Sequence, residues 1–379
     1  MSYYVILTGS KNNAGDYLIK YRAKQLFEKE RPDRKIIDMN GWEFLDEEKL
    51  KIVNNAKALI LMGGPALQYD MWPGVYRLTD NLDDIKVPIV MMGVGWYSKQ
   101  GNWEDTYNYS LSEKTLKLLS RIKNSGYFSS VRDYHTINSL WFHNVDNVLM
   151  TGCPAYYDYN FFGKKIHKPE IRKVGFSLGV SFINSTSMEK LMKENILKSK
   201  EYFKDSEFTV LFHHSLNPEI YLNTHNYNKY HLKRHQEFVK WLIKENISYK
   251  DISGSAENLI NFYSEIDLHI GYRVHAHIFM NSISKFSVLL SEDGRAKATK
   301  GVIGGIVLDS VINLKEDLVS KVAEKFKLLD RYTANNNLSD ELIHNFEYEK
   351  LTQYHRISSS RKKIDDNFEL MKVFINQLP

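Results

Sequence analysis

Short apolar, β-prone runs that end on small residues recur along the whole chain, and each is followed by apolar positions at helical spacing. The first run, 3–8, gives way to Gly9 and the polar loop 10–13, after which Leu18, Ile19, Ala23, Leu26 and Phe27 recur three and four residues apart. A strand that passes through a helix before the next strand returns beside the first as a right-handed crossover in a parallel sheet. Runs at 35–39, 58–62, 87–93, 127–131 and 148–154 extend the pattern, and those at 174–180, 208–213, 247–251, 267–271 and 287–290 repeat it. The spacing predicts helices at 187–203, 238–245 and 255–265, the last capped by Ser255, and further helices at 308–326 and 341–374. A solvated loop rich in Tyr and His is expected at 216–231.

The alternation predicts an α/β chain of two doubly wound, Rossmann-like domains facing a cleft, at 1–165 and 170–330. A helical segment at 338–379 is expected to pack back on the first domain. At 379 residues the chain exceeds the size at which one core stops growing, which calls for that division. The basic stretch 162–173, broken by Gly and Pro, is the expected linker. Apolar and charged contents of 43% and 26% exclude disorder on a large scale. A net charge of +5 suits anionic substrates and is too small to predict nucleic-acid binding.

One cysteine, Cys153, leaves no internal disulfide and fits a reducing compartment. The N-terminal run lacks the features of a signal peptide, and no apolar stretch is long enough for a bilayer. A cytoplasmic location is expected, with at most peripheral contact at the inner face of the membrane.

The chemistry concentrates at strand ends. The stretch 266–281, IDLHIGYRVHAHIFMN, runs from an apolar strand through Gly271 into a helix opened by Arg273 and His275. Unpaired N–H groups and the helix dipole favour an anion at such a junction. Arg132 follows another strand, and its guanidinium fork suits a carboxylate or phosphate; the bland alternative pairs it with Asp133. Gly63-Gly64-Pro65 closes a third strand, and Val94-Gly95-Trp96-Tyr97 a fourth. Cys153 has no evident base and reads as a buried, inert thiol. Several histidines cluster between 213 and 235, but no zinc-like ligand spacing emerges, and no metal is expected.

Five of these stretches resemble, in order, motifs of the polysaccharide pyruvyl transferases: Asn13-Ala14-Gly15-Asp16, the Gly63-Gly64 turn, Ser130-Val131-Arg132-Asp133, Gly271 to Ala276, and Glu292-Asp293-Gly294-Arg295-Ala296-Lys297, close to where relatives carry an acidic residue and a lysine. Pro65 stands where relatives carry more glycines, and Cys153 near where many carry Asp-Pro. The resemblance implies transfer of the enolpyruvyl group of phosphoenolpyruvate to a sugar of a surface polysaccharide or its lipid-linked precursor, as a ketal, with no cofactor. It assigns His275 and Asp16 to catalysis, with Asp293 as a weaker candidate, and Arg132, Arg273, Asn13, Gly15, Gly63, Gly64 and Lys297 to substrate binding. His277 stands where many relatives have an apolar residue and is expected to be structural. The expected partners are phosphoenolpyruvate and a glycan or lipid-linked oligosaccharide acceptor. The competing readings are a glycosyltransferase of the same architecture using a nucleotide sugar, and a non-catalytic glycan-binding relative.

Overall fold

The computed structural model describes residues 2–9, 14–164, 170–223, 228–325 and 329–379. The chain divides into two compact units: Met1–Gly163 with Gly301–Ile303 and Lys362–Pro379, and Lys164–Lys300 with Gly304–Arg361.

The first unit holds a six-stranded parallel sheet of β1 Tyr3–Thr8, β2 Lys35–Asn40, β3 Leu59–Leu67, β4 Ile89–Trp96, β5 Ser129–Val131 and β6 Val148–Met150, in the order β2-β1-β3-β4-β5-β6. The central strands are apolar without alternation because both faces are covered; every residue of β4 is buried. Strand order reverses between β1 and β3, which makes their carboxyl ends the switch point of this sheet.

The second unit holds β7 Lys173–Ser177, β8 Glu207–Phe212, β9 Ser248–Asp251, β10 Leu268–Gly271, β11 Phe286–Ser291 and β12 Ile306–Asp309, also parallel, in the order β12-β11-β10-β7-β8-β9. Here the order reverses between β7 and β10, so the signature stretch 266–281 enters its helix at the switch point. Gly271 makes that turn possible. It sits at φ 140°, and a Cβ there would lie 2.3 Å from the Ser177 carbonyl oxygen.

Three expectations need correction. Residues 308–326 are not one helix: Gly304 and Gly305, both at φ 73°, end the helix Gly294–Ile303, and the β-branched residues beyond pair as β12 and as β13 Val311–Leu314 with β14 Tyr332–Ala334. Among the described residues of that range, only Leu318–Lys325 is helical. The described residues of the expected 216–231 loop are largely helix, and 224–227 lie outside the described residues. Asn217 caps Pro218–Leu222, and Asn228 opens Lys229–Lys244 through a reciprocal capping box with His231. That second helix absorbs the shorter one expected at 238–245.

The expected helix 341–374 is two, Leu338–Leu351 and His355–Gln377, parted where Gln353 and Tyr354 take positive φ. Leu338, Leu342 and Phe346 join the core of the second unit. Within the first unit, Phe368 stacks 4.0 Å from Phe162, and the Tyr4 hydroxyl donates to the Pro379 carbonyl at 2.7 Å.

Candidate functional site

In the first unit, Asp16 and Arg132 sit at strand ends. Asp16 occupies the first turn of helix Ala14–Glu30 and is buried; Gly64, at φ 85°, leaves room for it, since a Cβ there would lie 3.1 Å from Asp16 Oδ1. Gly15 is buried in the same turn. Gly63 serves packing, with a Cβ position 3.0 Å from Ile19 and 3.1 Å from the Gly93 carbonyl oxygen. Asn13 lies outside the described residues.

Arg132 is 7% exposed and runs over Gly95, where a Cβ would come within 1.9 Å of Nε. Asp133 is mainly committed elsewhere: its Oδ1 caps helix Tyr134–Phe142 through the Thr136 N–H at 2.7 Å, and its Oδ2 is 3.4 Å from Arg132 Nε. Arg132 Nη2 is left buried without a hydrogen-bond partner. An orphaned buried cationic N–H is costly unless an acceptor arrives, so the group is preset for an anion. Cys153 is buried close enough to feel both Arg132 and Asp16; burial dominates and pushes its thiol up to about 11, which keeps it inert.

The second unit builds its site differently. Arg273 is the N-cap of helix Val274–Ser282 but makes no side-chain cap, and its backbone N–H donates to Ser177 Oγ at 3.1 Å. Arg273 and His275 are half-buried at this helix start. Beneath them runs a buried polar chain: Ser177 Oγ lies 2.8 Å from His269 Nε2, His269 Nδ1 2.7 Å from Ser287 Oγ, and Ser287 Oγ 2.8 Å from His277 Nδ1. The register explains it, because β10 sets His269 beside Ser287 of β11 and Gly271 beside Ser177 of β7. Burial holds His269 far below the ordinary histidine range and His277 at about 3, so both rings are neutral at pH 7.

The helical form of this segment decides the geometry of the motif. His277 turns inward to Ser287, while His275 stays half-buried.

Beyond β11, Glu292 places its carboxylate on the backbone of the loop after β7, accepting from the Val180 N–H at 2.9 Å and the Ser181 N–H at 3.0 Å. Asp293 is a helix cap: burial opposes its charge, but Arg295 and the N–H groups of Arg295 and Ala296 outweigh burial and hold the carboxyl below its usual range. Lys297 is half-buried on that helix, and its Nζ has no ion-pair partner among the described residues.

Sequence reasoning did not single out Ser177, Tyr263, His269 or Ser287, and it gave Glu292 no role of its own. The signal for four of them was present as polar residues in otherwise apolar strands or helix faces. No cluster of His, Cys, Asp or Glu able to hold a metal ion is found among the described residues. Nor is any helix among them long and apolar enough to cross a membrane.

A family model for polysaccharide pyruvyl transferase matches residues 13–279, the span that carries Asp16, Arg132, Arg273 and His275. The chain belongs to that family. No curated protein matches it in sequence. Among solved structures, the UDP-GlcNAc 2-epimerase from Neisseria meningitidis bound to UDP-GlcNAc matches with a TM-score of 0.50 and 10% identity, over 100% of both chains. That from Methanocaldococcus jannaschii, in complex with UDP-GlcNAc and UDP, gives 0.45 and 12%, over 92% of this chain and 100% of its own. The Neisseria match shows the fold class of this chain, two Rossmann-like domains of the GT-B type.

Proposed function

We propose that the pyruvyltransferase uses phosphoenolpyruvate as its donor and closes a pyruvyl ketal on a sugar of a surface polysaccharide or its lipid-linked precursor. The observation that carries this is Arg273 at the N-terminus of the switch-point helix, inside the family match and locked through its backbone to Ser177. A phosphate or carboxylate seated there meets a guanidinium and the positive end of the helix dipole together.

In this reaction His275 delivers a proton to the donor's methylene carbon, and the second carbon becomes cationic. A sugar hydroxyl adds to that carbon and gives up its proton. The carbon–oxygen bond to phosphate then breaks, phosphate leaves with its electron pair, and a second hydroxyl of the same sugar adds and loses its proton. Two hydroxyl protons are released, one methylene proton is gained, and inorganic phosphate is the by-product. We assign Arg132 to an anionic group of the substrate, because its buried Nη2 awaits an acceptor, and Asp16 to activation of a hydroxyl. Lys297 is a further cation for substrate on the second unit. Glu292 already fills the N–H donors of the loop after β7, which leaves fewer seats for a diphosphate and supports a monophosphate donor over a nucleotide sugar.

The test is a thermal-shift titration with phosphoenolpyruvate beside nucleoside diphosphates and nucleotide sugars. Phosphoenolpyruvate should raise the melting temperature of the wild type and not that of Arg273→Ala. Stabilisation by a nucleotide and not by phosphoenolpyruvate would replace this reading with that of a glycosyltransferase.

A further inference from the structure

The ketal forms on one sugar, and the rest of an acceptor chain has to lie somewhere. We propose that a row of aromatic rings on the first unit, Trp103 and Tyr107 against His135 and Phe142, is a subsite for uncharged sugar residues that adjoin the pyruvylated one. The inference rests on the sugar-acceptor reading above and adds to it a preference for acceptors several sugars long.

The row begins beside Arg132. Its neighbour Asp133 caps helix Tyr134–Phe142, and Thr136 in the first turn accepts the Trp96 N–H at 2.8 Å, which ties that helix to the carboxyl end of β4. His135 stacks on the buried Trp96 ring, with 5.2 Å between centroids and 13° between planes, and Trp103 meets His135 edge to face at 4.7 Å. Near the far end of the helix, Phe142 meets Tyr107 at 5.1 Å. His135 and Phe142 are close to two full turns apart, so both ring pairs lie on one side of the helix, separated by roughly 10 Å. A short run of linked pyranoses covers that distance, and a single sugar does not.

The rings are held before any ligand arrives. The Asn138 amide donates to the Thr106 hydroxyl, His143 Nε2 lies 2.7 Å from the Tyr109 carbonyl oxygen, and the Tyr109 hydroxyl lies 2.7 Å from the Tyr97 carbonyl oxygen. These bonds pin the loop after β4 to the helix, so little conformational freedom is lost on binding. Trp103 and Tyr107 are nevertheless each 40% exposed, and Phe142 53%. The C–H face of a pyranose packs on the electron-rich face of such a ring. Asn102, Glu104, Asp105 and Asn108, all exposed, offer hydrogen-bond partners to its hydroxyl groups.

Composition selects the occupant. In 97–110 and 134–142 every exposed large apolar side chain is aromatic and none is aliphatic. Lys99 is the only lysine or arginine in those two stretches, against Glu104 and Asp105. An anionic bilayer is drawn to clustered lysine and arginine, so this balance disfavours it, and it equally disfavours an acidic sugar beside the rings.

The experiment uses the source cell's own polysaccharide after mild-acid removal of pyruvate, whole and as the short fragments of its partial hydrolysis. Full-length wild type, Trp103→Ala, Tyr107→Ala and Trp103→Tyr are compared by phosphate release from phosphoenolpyruvate and by calorimetric binding of the whole glycan. Each alanine variant should raise KM for the whole glycan about tenfold, with kcat falling less than about threefold and stabilisation by phosphoenolpyruvate retained. Trp103→Tyr keeps a ring and should recover most of that loss. The effect should shrink as the acceptor is shortened, first in Tyr107→Ala, whose partner Phe142 lies at the far end of the helix.

An unchanged KM for the whole glycan in both alanine variants overturns the inference, as does a loss confined to kcat or to phosphoenolpyruvate affinity. A loss equal for whole glycan and single sugars overturns it too. So does an unchanged KM with Trp103→Ala abolishing binding to phosphatidylglycerol vesicles or dissociating a dimer, which would assign the rings to a membrane or to a second copy. If phosphoenolpyruvate neither stabilises the wild type nor releases phosphate, the functional reading fails instead, and calorimetry alone decides the subsite. Glycan binding weakened about tenfold in Trp103→Ala then keeps it, and equal or absent binding removes it.

Discussion

The two units reach the same end, a cation at the carboxyl ends of a parallel sheet, by opposite means. The first clears space: side chains are removed at Gly95 and Gly64 so that Arg132 and Asp16 can lie flat against the backbone, and one guanidinium nitrogen is left waiting. The second fills space: Ser177, His269, Ser287 and His277 run as a satisfied polar chain through the sheet, and Arg273 is anchored on its first member. A site made by clearance fails when atoms are added near the cation, and a site made by filling fails when its buried polar groups are charged or lose partners.

Adding one methyl group tests this most severely. In Gly271→Ala the new carbon meets backbone of β7 at φ 140°, and neither neighbour can yield, so a loss of about 3 kcal/mol or more is expected in denaturant unfolding. In Gly95→Ala the clash is with the Arg132 side chain, which can swing away. That variant should lose only about 1 to 2 kcal/mol of stability while phosphoenolpyruvate affinity falls about tenfold or more. Equal stability losses in the two would erase the distinction between backbone and side-chain clearance.

Acid should separate the units next. His235, His269 and His277 of the second unit, with His213, are held neutral below the ordinary histidine value, His235 at about 4 and His277 at about 3; burial is the first cause in each. The first unit has His135 alone among its described histidines with such a shift. For a histidine whose folded value is depressed, the unfolded chain binds the proton first. Stability is therefore full above about pH 6.5 and falls between there and the depressed value, by up to about 1.4 kcal/mol per pH unit for each ring. Hydrogen exchange followed from pH 7 to pH 4.5 should show the second unit losing protection first. Earlier loss in the first unit would mean that its own groups, and not the histidine chain, set acid stability.

Periodicity made both sheets legible from the sequence, because parallel strands buried on two faces are continuous apolar runs and β3 and β4 are of that kind. The errors fell where local signals competed. Residues 306–314 carry a mixed pattern that pairing of 306–309 with β11 and of 311–314 with β14 resolves as strand, and Asn228 and His231 form a cap that looks like loop composition until both bonds are counted. Arg132 and Arg273 were visible through motif spacing, and the structure places each at a strand end. The histidine chain was not visible, since it links residues as far apart as Ser177 and His269, and only the register of β7, β10 and β11 brings them together.

The smallest expected effect concerns two carboxylates that each occupy backbone donors at a strand end. Asp133 holds the Thr136 N–H in the first unit, and Glu292 holds the Val180 and Ser181 N–H groups in the second. Asp133→Asn and Glu292→Gln keep the shape and an acceptor oxygen but remove the charge, so each should lose about 1 kcal/mol at pH 7, with Glu292→Gln the larger because its carboxylate serves two N–H groups. The partners respond differently. Neutralising Asp133 withdraws a negative group 3.4 Å from Arg132 Nε and should tighten phosphoenolpyruvate binding about twofold, whereas Glu292→Gln should leave it unchanged. Calorimetric titration of both variants settles this, and weaker binding in Asp133→Asn would mean that the aspartate orients Arg132 more than it neutralises it.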